Sequence, residues 1–162
     1  MITISFETGE SMPLDLEKLE GADLADMKLH RAIFDAKDAS SADFTGADLR
    51  NASFIDARLE AVVMQKAVLA NALFVRAYLR KADFLGVLAV YANFSDAYLV
   101  SSCLKDGNLG SACFRGANLC GADFRGARLE GAEFASAIFD NETLWPEGFD
   151  AEGQGAIRKL DL

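Results

Sequence analysis

The stretch that decides the fold is residues 112–134, with the sequence ACFRGANLCGADFRGARLEGAEF. Within it every fifth residue is Phe or Leu, and the residue two positions earlier is always Ala. The position between the two is polar in most units, as in Ala-Asn-Leu at 117–119. Adding the two residues that follow gives a five-residue unit with the consensus Ala-(Asp/Asn)-(Leu/Phe)-x-x.

The same unit continues through most of the chain. Its large apolar position falls on residue numbers ending in 4 or 9, and 25 of the 27 such positions from Leu14 to Leu144 are Leu, Phe or Met. Internal repetition of this kind sets the architecture before any single motif does. We predict one domain over residues 1–162, with an N-terminal strand or cap at 1–13, repeats at 14–144, and a C-terminal cap and tail at 145–162.

A period of five excludes a helix and a single long strand. A step of five residues turns a helix by ~140°, which would spread the apolar side chains around its whole surface. In a strand, side chains alternate with period two, so an odd repeat would reverse the apolar face at every unit. Short extended segments separated by bends remain.

If four segments close one coil, residues 20 apart stack at about 4.8 Å. This arrangement puts one group of phenylalanines in a column and a second group in the opposite column: Phe34, Phe54, Phe74, Phe94, Phe114 and Phe134, against Phe44, Phe84 and Phe124.

This pattern resembles the pentapeptide repeat family over about residues 14–144. The resemblance implies an all-β fold, a right-handed quadrilateral β-helix (solenoid) of about seven coils, capped at both ends. Because both ends of a solenoid must be covered, we expect the alternating segment at residues 2–6 to cover the first coil and residues 144–149 to close the last. The tail, which ends Ile157-Arg158-Lys159-Leu160-Asp161-Leu162, is compatible with a short amphipathic helix.

Among the units that depart from the consensus at the Ala position are those that hold Lys37, Val87 and Glu142 there. Lys37 indicates either a bulge or a lysine whose stem lies along the surface while its amine reaches solvent. Val87 is followed two residues later by Ala89, a swap that roughly conserves core volume.

Few residues are suited to catalysis or metal binding. His30, the single histidine, follows the inward Leu29 and is expected to face solvent. Cys103, Cys113 and Cys120 have neither a disulfide nor a metal-ligand spacing, and no histidine lies near them in the sequence to activate them. A β-helical acyltransferase would need a six-residue repeat and a catalytic histidine. We therefore predict no enzymatic activity, no cofactor and no metal site.

One column of acidic residues allows two interpretations: Asp23, Asp43, Asp83 and Asp123. They form either a ladder for cations or a row of short side chains that bond local backbone amides at the bends. We favour the second interpretation.

The net charge of −9 is concentrated at the two ends. Residues 1–43 carry −6, residues 44–138 carry +1 and residues 139–162 carry −4. Some members of the pentapeptide repeat family protect DNA gyrase from quinolones, so the resemblance implies an alternative function, a DNA-mimicking modulator of gyrase or topoisomerase. A DNA mimic should carry its charge along the rod, which this chain does not. The absence of a basic stripe argues against direct nucleic-acid binding.

The sequence also predicts the compartment. No stretch approaches the ~20 apolar residues of a membrane span, and the first residues lack the pattern of a signal peptide. We expect a cytoplasmic protein that does not contact a membrane.

The central coils carry apolar residues at outward positions. One face groups Val68, Leu88, Val90 and Tyr91, and the opposite face groups Tyr78, Tyr98 and Val100. Exposed apolar patches often mark contact surfaces, although β-branched and aromatic residues also suit strands. We interpret the seven residues as a surface for a protein partner of unknown identity or for a homodimer. The predicted function is a non-enzymatic protein-binding or scaffolding module.

Overall fold

Each five-residue unit consists of a short extended segment and a tight turn. In the computed structural model, which describes residues 1–160, the N–H of Ala52 donates to the carbonyl of Leu49 at 3.0 Å, and this bond recurs along the chain. The third residue of the turn has a positive φ at each of 24 successive corners from Gly21 to Ser136. This is the pattern of a type II turn. The bend restores the register, so the small and the large apolar residue of every unit point inward.

Parallel bridges join residues 20 positions apart, from Asp23↔Asp43 to Asn118↔Ile138. Four units therefore make one coil, and the predicted stacking of residues 20 apart is confirmed. We number the four faces by the residues at the centre of their segments. They are face 1 (23, 43, 63, 83, 103, 123), face 2 (28, 48, 68, 88, 108, 128), face 3 (33, 53, 73, 93, 113, 133) and face 4 (38, 58, 78, 98, 118, 138).

The core lies inside the coil and is built from the Ala, Leu and Phe of the repeat, which are almost all buried. The six phenylalanines of face 3 stack with ring centroids 4.8–5.1 Å apart. The three of face 1 meet them edge to face at 5.5–6.2 Å. Both geometries are favourable for aromatic pairs. The two predicted columns are confirmed.

An antiparallel hairpin pairs with the first coil. Strand β1 (Ile2–Phe6) pairs with β2 (Ser11–Leu14) and with β3 (Ala32–Ile33) on face 3, in the order β2-β1-β3. Ile4 in β1 is fully buried against the core. Leu14 lies opposite Ile2 in this hairpin, so its assignment to the first repeat is wrong, and the buried repeat register begins at Leu19.

At the other end one extra residue shifts the register. Asp123 pairs with Leu144, 21 residues on instead of 20. Thr143 therefore takes the buried small position and Trp145 the large one, with its ring 4.9 Å from that of Phe124. The expectation that Leu144 points inward is wrong, because its side chain is 41% exposed. Glu142, placed in the Ala position by the uninterrupted register, is exposed as well.

The tail forms a strand, not the amphipathic helix considered from the sequence. Strand β4 (Ile138–Phe139) pairs in parallel with β5 (Ile157–Arg158), 19 residues on, so the tail reaches face 4 one residue short of the regular spacing of 20. Between them Phe149 packs 5.3 Å from Phe134 and 5.1 Å from Trp145. Residues 161–162, which end the helix considered from the sequence, lie outside the described residues. Within residues 1–160 no helix is long and apolar enough to cross a membrane.

The departures inside the repeat leave the register intact. Ala39 donates normally to the carbonyl of Arg58 at 2.9 Å, so Lys37 does not create a bulge. Val87 is accommodated by the next coil as well as by Ala89. A Cβ added to Gly107 would lie only 3.2 Å from Val87 Cγ1.

Candidate interaction surface

The seven outward residues form two separate groups. Val68 and Leu88 are bridged neighbours on face 2, and Val90 and Tyr91 occupy the corner that follows; we call these four the face 2 patch. Tyr78 and Tyr98 are bridged on face 4, and with Val100 at the next corner they form the face 4 patch. Because the two faces are half a coil apart, the patches point in opposite directions, as the spacing predicts.

Two stacked tyrosines dominate the face 4 patch. The ring centroids of Tyr78 and Tyr98 are 5.1 Å apart with an interplanar angle of 3°. Their side chains are 50% and 47% exposed. Arg58 and Asn118 bridge to the pair on either side, so the patch has polar borders along the rod. The backbone spacing of the coils holds the two rings parallel.

The face 2 patch is less regular and more exposed. Leu88 is 48% and Tyr91 65% exposed, whereas Val68 and Val90 are half-buried. Tyr91 occupies a corner with a φ of +59°, a conformation that bulky residues rarely adopt. Its N–H is held by the carbonyl of Gly110 at 3.0 Å, which fixes the corner from which the ring projects.

The acidic column bonds its own backbone. Asp23, Asp43, Asp83 and Asp123 each accept a hydrogen bond from the N–H two residues later, at 2.8–3.1 Å. Five further residues do the same: Asp38, Asp48, Asn93, Asn108 and Asn118. Our interpretation of the column as local backbone partners is confirmed. A hydrogen bond from Arg125 also holds the pKa of Asp123 below its usual range.

The three cysteines and His30 lie on different parts of the coil. Burial raises the pKa of the Cys103 and Cys120 thiols, which disfavours the nucleophilic thiolate. Cys113 is on face 3, with its Sγ 3.1 Å from Ser95 Oγ. His30 is exposed, as expected, with Nε2 3.1 Å from Asn51 Nδ2. Across residues 1–160 no three His, Cys, Asp or Glu side chains are grouped as a metal site would require.

Two features escaped the sequence reasoning. The first is bonding between coils at the corners, where Arg76 holds Asp56 through two contacts of 2.7 Å. The period of 20 puts this pair together, so a search at that spacing would find it. The second is a groove of about 320 Å³ at the C-terminal end, lined by Ala127, Leu129, Glu130 and residues 146–149. It forms where the chain leaves the repeat, and the period carries no signal for it.

The geometry defines a class: a β-helical repeat protein whose coil is made of four five-residue units. The family profile for pentapeptide repeats matches eight copies within residues 38–67, 68–106, 77–116 and 112–141. The chain belongs to the pentapeptide repeat family. No curated protein matches it in sequence.

Three solved structures show how far the similarity extends. The pentapeptide repeat protein alr5209 from Nostoc PCC 7120 is 32% identical, over 72% of this chain and 84% of its own, with a TM-score of 0.31. HetL, a pentapeptide repeat protein involved in heterocyst differentiation regulation from Nostoc sp. strain PCC 7120, is 23% identical over 85% and 77%, with a TM-score of 0.42. QnrB1, a plasmid-mediated fluoroquinolone resistance protein, is 18% identical over 78% and 79%, with a TM-score of 0.41.

Proposed function

We propose that this chain is a non-enzymatic protein-binding or scaffolding module of the cytoplasm, and that the face 2 and face 4 patches are its contact surfaces. The rod that presents them is, in this proposal, a right-handed β-helix of about seven coils with a cap at each end. One observation carries the proposal. Four large apolar side chains of the central coils, Tyr78, Leu88, Tyr91 and Tyr98, are 47–65% exposed.

The chemistry of these side chains suits a protein interface. Tyrosine offers a large apolar ring with a polar tip and few rotatable bonds, which is why it is enriched among residues that dominate binding energy. The stacked Tyr78 and Tyr98 rings are already ordered by the coil spacing. Binding to them loses less side-chain entropy than binding to flexible residues.

The position of the patches limits the arrangement of partners. A second copy of the chain using one patch would form a two-fold interface in which the same residues meet on both sides. The opposite patch would then stay free for a different protein. A scaffold that joins two partners on opposite sides of a rod fits this geometry.

The charge distribution does not favour the DNA-mimic alternative. The central coils, residues 44–138, carry a net charge of +1, and the acidic excess lies in the flanking segments. Several central carboxylates are also neutralised locally, as in the pair between Asp56 and Arg76. A mimic of the DNA backbone needs a continuous acidic surface.

The test replaces exposed apolar residues by Asp on each face separately. Leu88→Asp with Tyr91→Asp removes the face 2 patch, and Tyr78→Asp with Tyr98→Asp removes the face 4 patch. We expect at least one pair to weaken self-association or partner capture by about 30-fold or more, the loss of roughly 2 kcal/mol expected of a central interface residue. Light scattering measures the oligomeric state, and quantitative pull-down from the source cell measures capture.

Leu73→Asp is the matched control, because Leu73 is an apolar outward residue on face 3 between Ser53 and Asn93. The proposal is wrong if both double variants match wild type in both measurements. Adding micromolar wild-type protein to gyrase supercoiling, with and without a quinolone, tests the alternative. Protection of the enzyme would favour the DNA mimic over the scaffold.

A further inference from the structure

Backbone hydrogen bonds hold each segment of the coil to the next coil in a regular pattern. On face 2 the N–H of Leu109 donates to the carbonyl of Arg128 at 2.9 Å, and the N–H of Arg128 donates to the carbonyl of Gly107 at 2.9 Å. The last segment of this face, residues 126–130, would need one more segment to repeat the pattern.

The C-terminal tail supplies such a segment on two faces. On face 1 the N–H of Phe124 donates to the carbonyl of Leu144 at 2.6 Å. On face 4 the N–H of Ile157 donates to the carbonyl of Ala137 at 2.7 Å. Between these points the tail crosses the end of the core through Phe149, so face 2 receives no added strand from it.

The edge of face 2 is therefore open. Within residues 1–160 the N–H groups of Gly126, Leu129 and Gly131 have no hydrogen-bond acceptor, and the carbonyl of Ala127 has no donor. One coil earlier all four equivalent groups are bonded: the N–H groups of Asp106, Leu109 and Ser111, and the carbonyl of Gly107. An unpaired strand edge is a template for another extended chain.

The groove of about 320 Å³ lies along this edge. Ala127 and Leu129 form one wall, and Pro146, Gly148 and Phe149 form the other. Phe149 is fixed by its contacts with core aromatic rings, so the opposite wall is preformed.

We propose that this open edge binds an extended peptide segment of a partner protein, which adds a parallel strand to face 2. The peptide would accept hydrogen bonds from Gly126, Leu129 and Gly131 and donate one to Ala127. This is strand addition, in which backbone bonds give affinity and alternate side chains give specificity. The site is separate from the two side patches and does not depend on them.

The edge also defines which peptide fits. A small residue would stack on Ala127, and a large apolar residue two positions later would stack on Leu129, as in most repeats of the chain. Glu130 and Glu147 line the groove and are exposed, so basic residues flanking the apolar pair are favoured. The predicted ligand is a short basic segment with a small-x-large apolar core.

The probe is the acetylated and amidated peptide Gln-Lys-Ala-Val-Leu-Lys, which copies residues 65–69 of face 2 and adds a second lysine. Amide NMR spectra of the full chain are recorded as peptide is added. We expect the largest shifts at Gly126, Leu129 and Gly131, and at least fivefold slower hydrogen exchange of the Leu129 amide at saturation. Methylating the Val amide nitrogen of the peptide removes its bond to Ala127 and should abolish these shifts.

Charge is tested by Glu130→Lys with Glu147→Lys, which should weaken binding about tenfold because each carboxylate contributes one surface ion pair. The control, Glu60→Lys with Glu142→Lys, makes the same change in net charge away from the groove and should bind normally. Three results would overturn the proposal: no edge shifts at millimolar peptide, equal shifts with the methylated peptide, or equal weakening by both charge variants. Protection of the Leu129 amide by raising the protein concentration without peptide would assign the edge to a second copy instead.

Discussion

Val87 occupies a position that holds Ala in most units, and the chain makes room for it in two directions. Within its own unit the large position is reduced to Ala89. In the next coil Gly107 replaces Ala, and its missing Cβ leaves the space that Val87 Cγ1 fills. Val87 and the residue that compensates for it, Gly107, are therefore 20 residues apart in the sequence but adjacent in the structure.

Gly107→Ala should destabilise the protein by about 1–2 kcal/mol, because the added methyl overpacks a filled core. Adding Val87→Ala should restore part of that loss, because it removes Val87 Cγ1, one of the two atoms that lie 3.2 Å from the added Cβ; the other is the carbonyl oxygen of Leu104. Urea unfolding of the two single variants and the double variant measures the coupling.

Gly110→Ala is the matched control, since its new Cβ would meet nothing closer than 3.5 Å. It should change stability by less than about 0.5 kcal/mol. Purely additive effects of the Gly107 and Val87 substitutions would show that this contact is not what requires the glycine.

At the scale of elements, the segment after Phe139 shows how a turn absorbs an extra residue. Asp140 accepts hydrogen bonds from the N–H of Gly121 at 2.9 Å, from the N–H of Glu142 at 3.1 Å and from Thr143 Oγ1 at 3.1 Å. Burial alone would raise the pKa of Asp140, but these bonds to its charged form outweigh it and lower the pKa overall. The carboxylate thus joins the displaced turn to the coil beneath it.

Asp140→Ala should cost about 1.5–3 kcal/mol at neutral pH, the range for hydrogen bonds to a charged group. Because the pKa of Asp140 is lower in the folded than in the unfolded protein, its contribution is fully present above the unfolded pKa and declines as pH falls through the folded pKa. Urea unfolding of wild type and variant at pH 7 and below pH 3 measures the difference. Asp106→Ala, at an ordinary corner, is the control, and a gap between wild type and Asp140→Ala that is independent of pH would contradict this role.

The repeat and the two ends of the chain differ in how far the sequence predicts their structure. The period of five determines the repeats, the inward columns and the faces on which the seven surface residues lie, because each depends only on position within the coil. The ends do not follow from it. Leu14 joins a hairpin, Trp145 displaces Leu144 from the core, and Ile157 adds a strand, since the segments at each end pack against a terminal coil and no longer follow the repeat. The exposure of Tyr91 and the open edge at Leu129 likewise require knowing where the chain leaves the repeat.

For the whole molecule, stability is close to one-dimensional, since each coil contacts only its neighbours. Phe74 lies in the middle of the stack, 4.9 Å from both Phe54 and Phe94. Removing one ring from this column weakens the connection between the N-terminal and C-terminal coils.

Phe74→Ala should lower the free energy of unfolding by about 3–5 kcal/mol. The two halves should also unfold less cooperatively, so that Trp145 fluorescence, which reports the C-terminal coils, and circular dichroism give different urea midpoints. In wild type and in Tyr91→Ala, an exposed control, the two midpoints should coincide. Coincident midpoints in Phe74→Ala would show that cooperativity extends along the rod without this ring.

The bridges between residues 20 apart give every outward side chain two coordinates, an azimuth around the rod and a height along it. Inserting one whole coil would raise everything beyond it by about 4.8 Å and leave its azimuth unchanged. Deleting a single unit of five would instead rotate the downstream chain by a quarter turn. If the deleted unit lay between Tyr78 and Tyr98, Tyr98 would leave the azimuth of Tyr78, and a partner that spans both rings would lose one of them. Coil number can thus vary without altering what either side of the rod displays, whereas a gain or loss of one unit redistributes the surface among the faces.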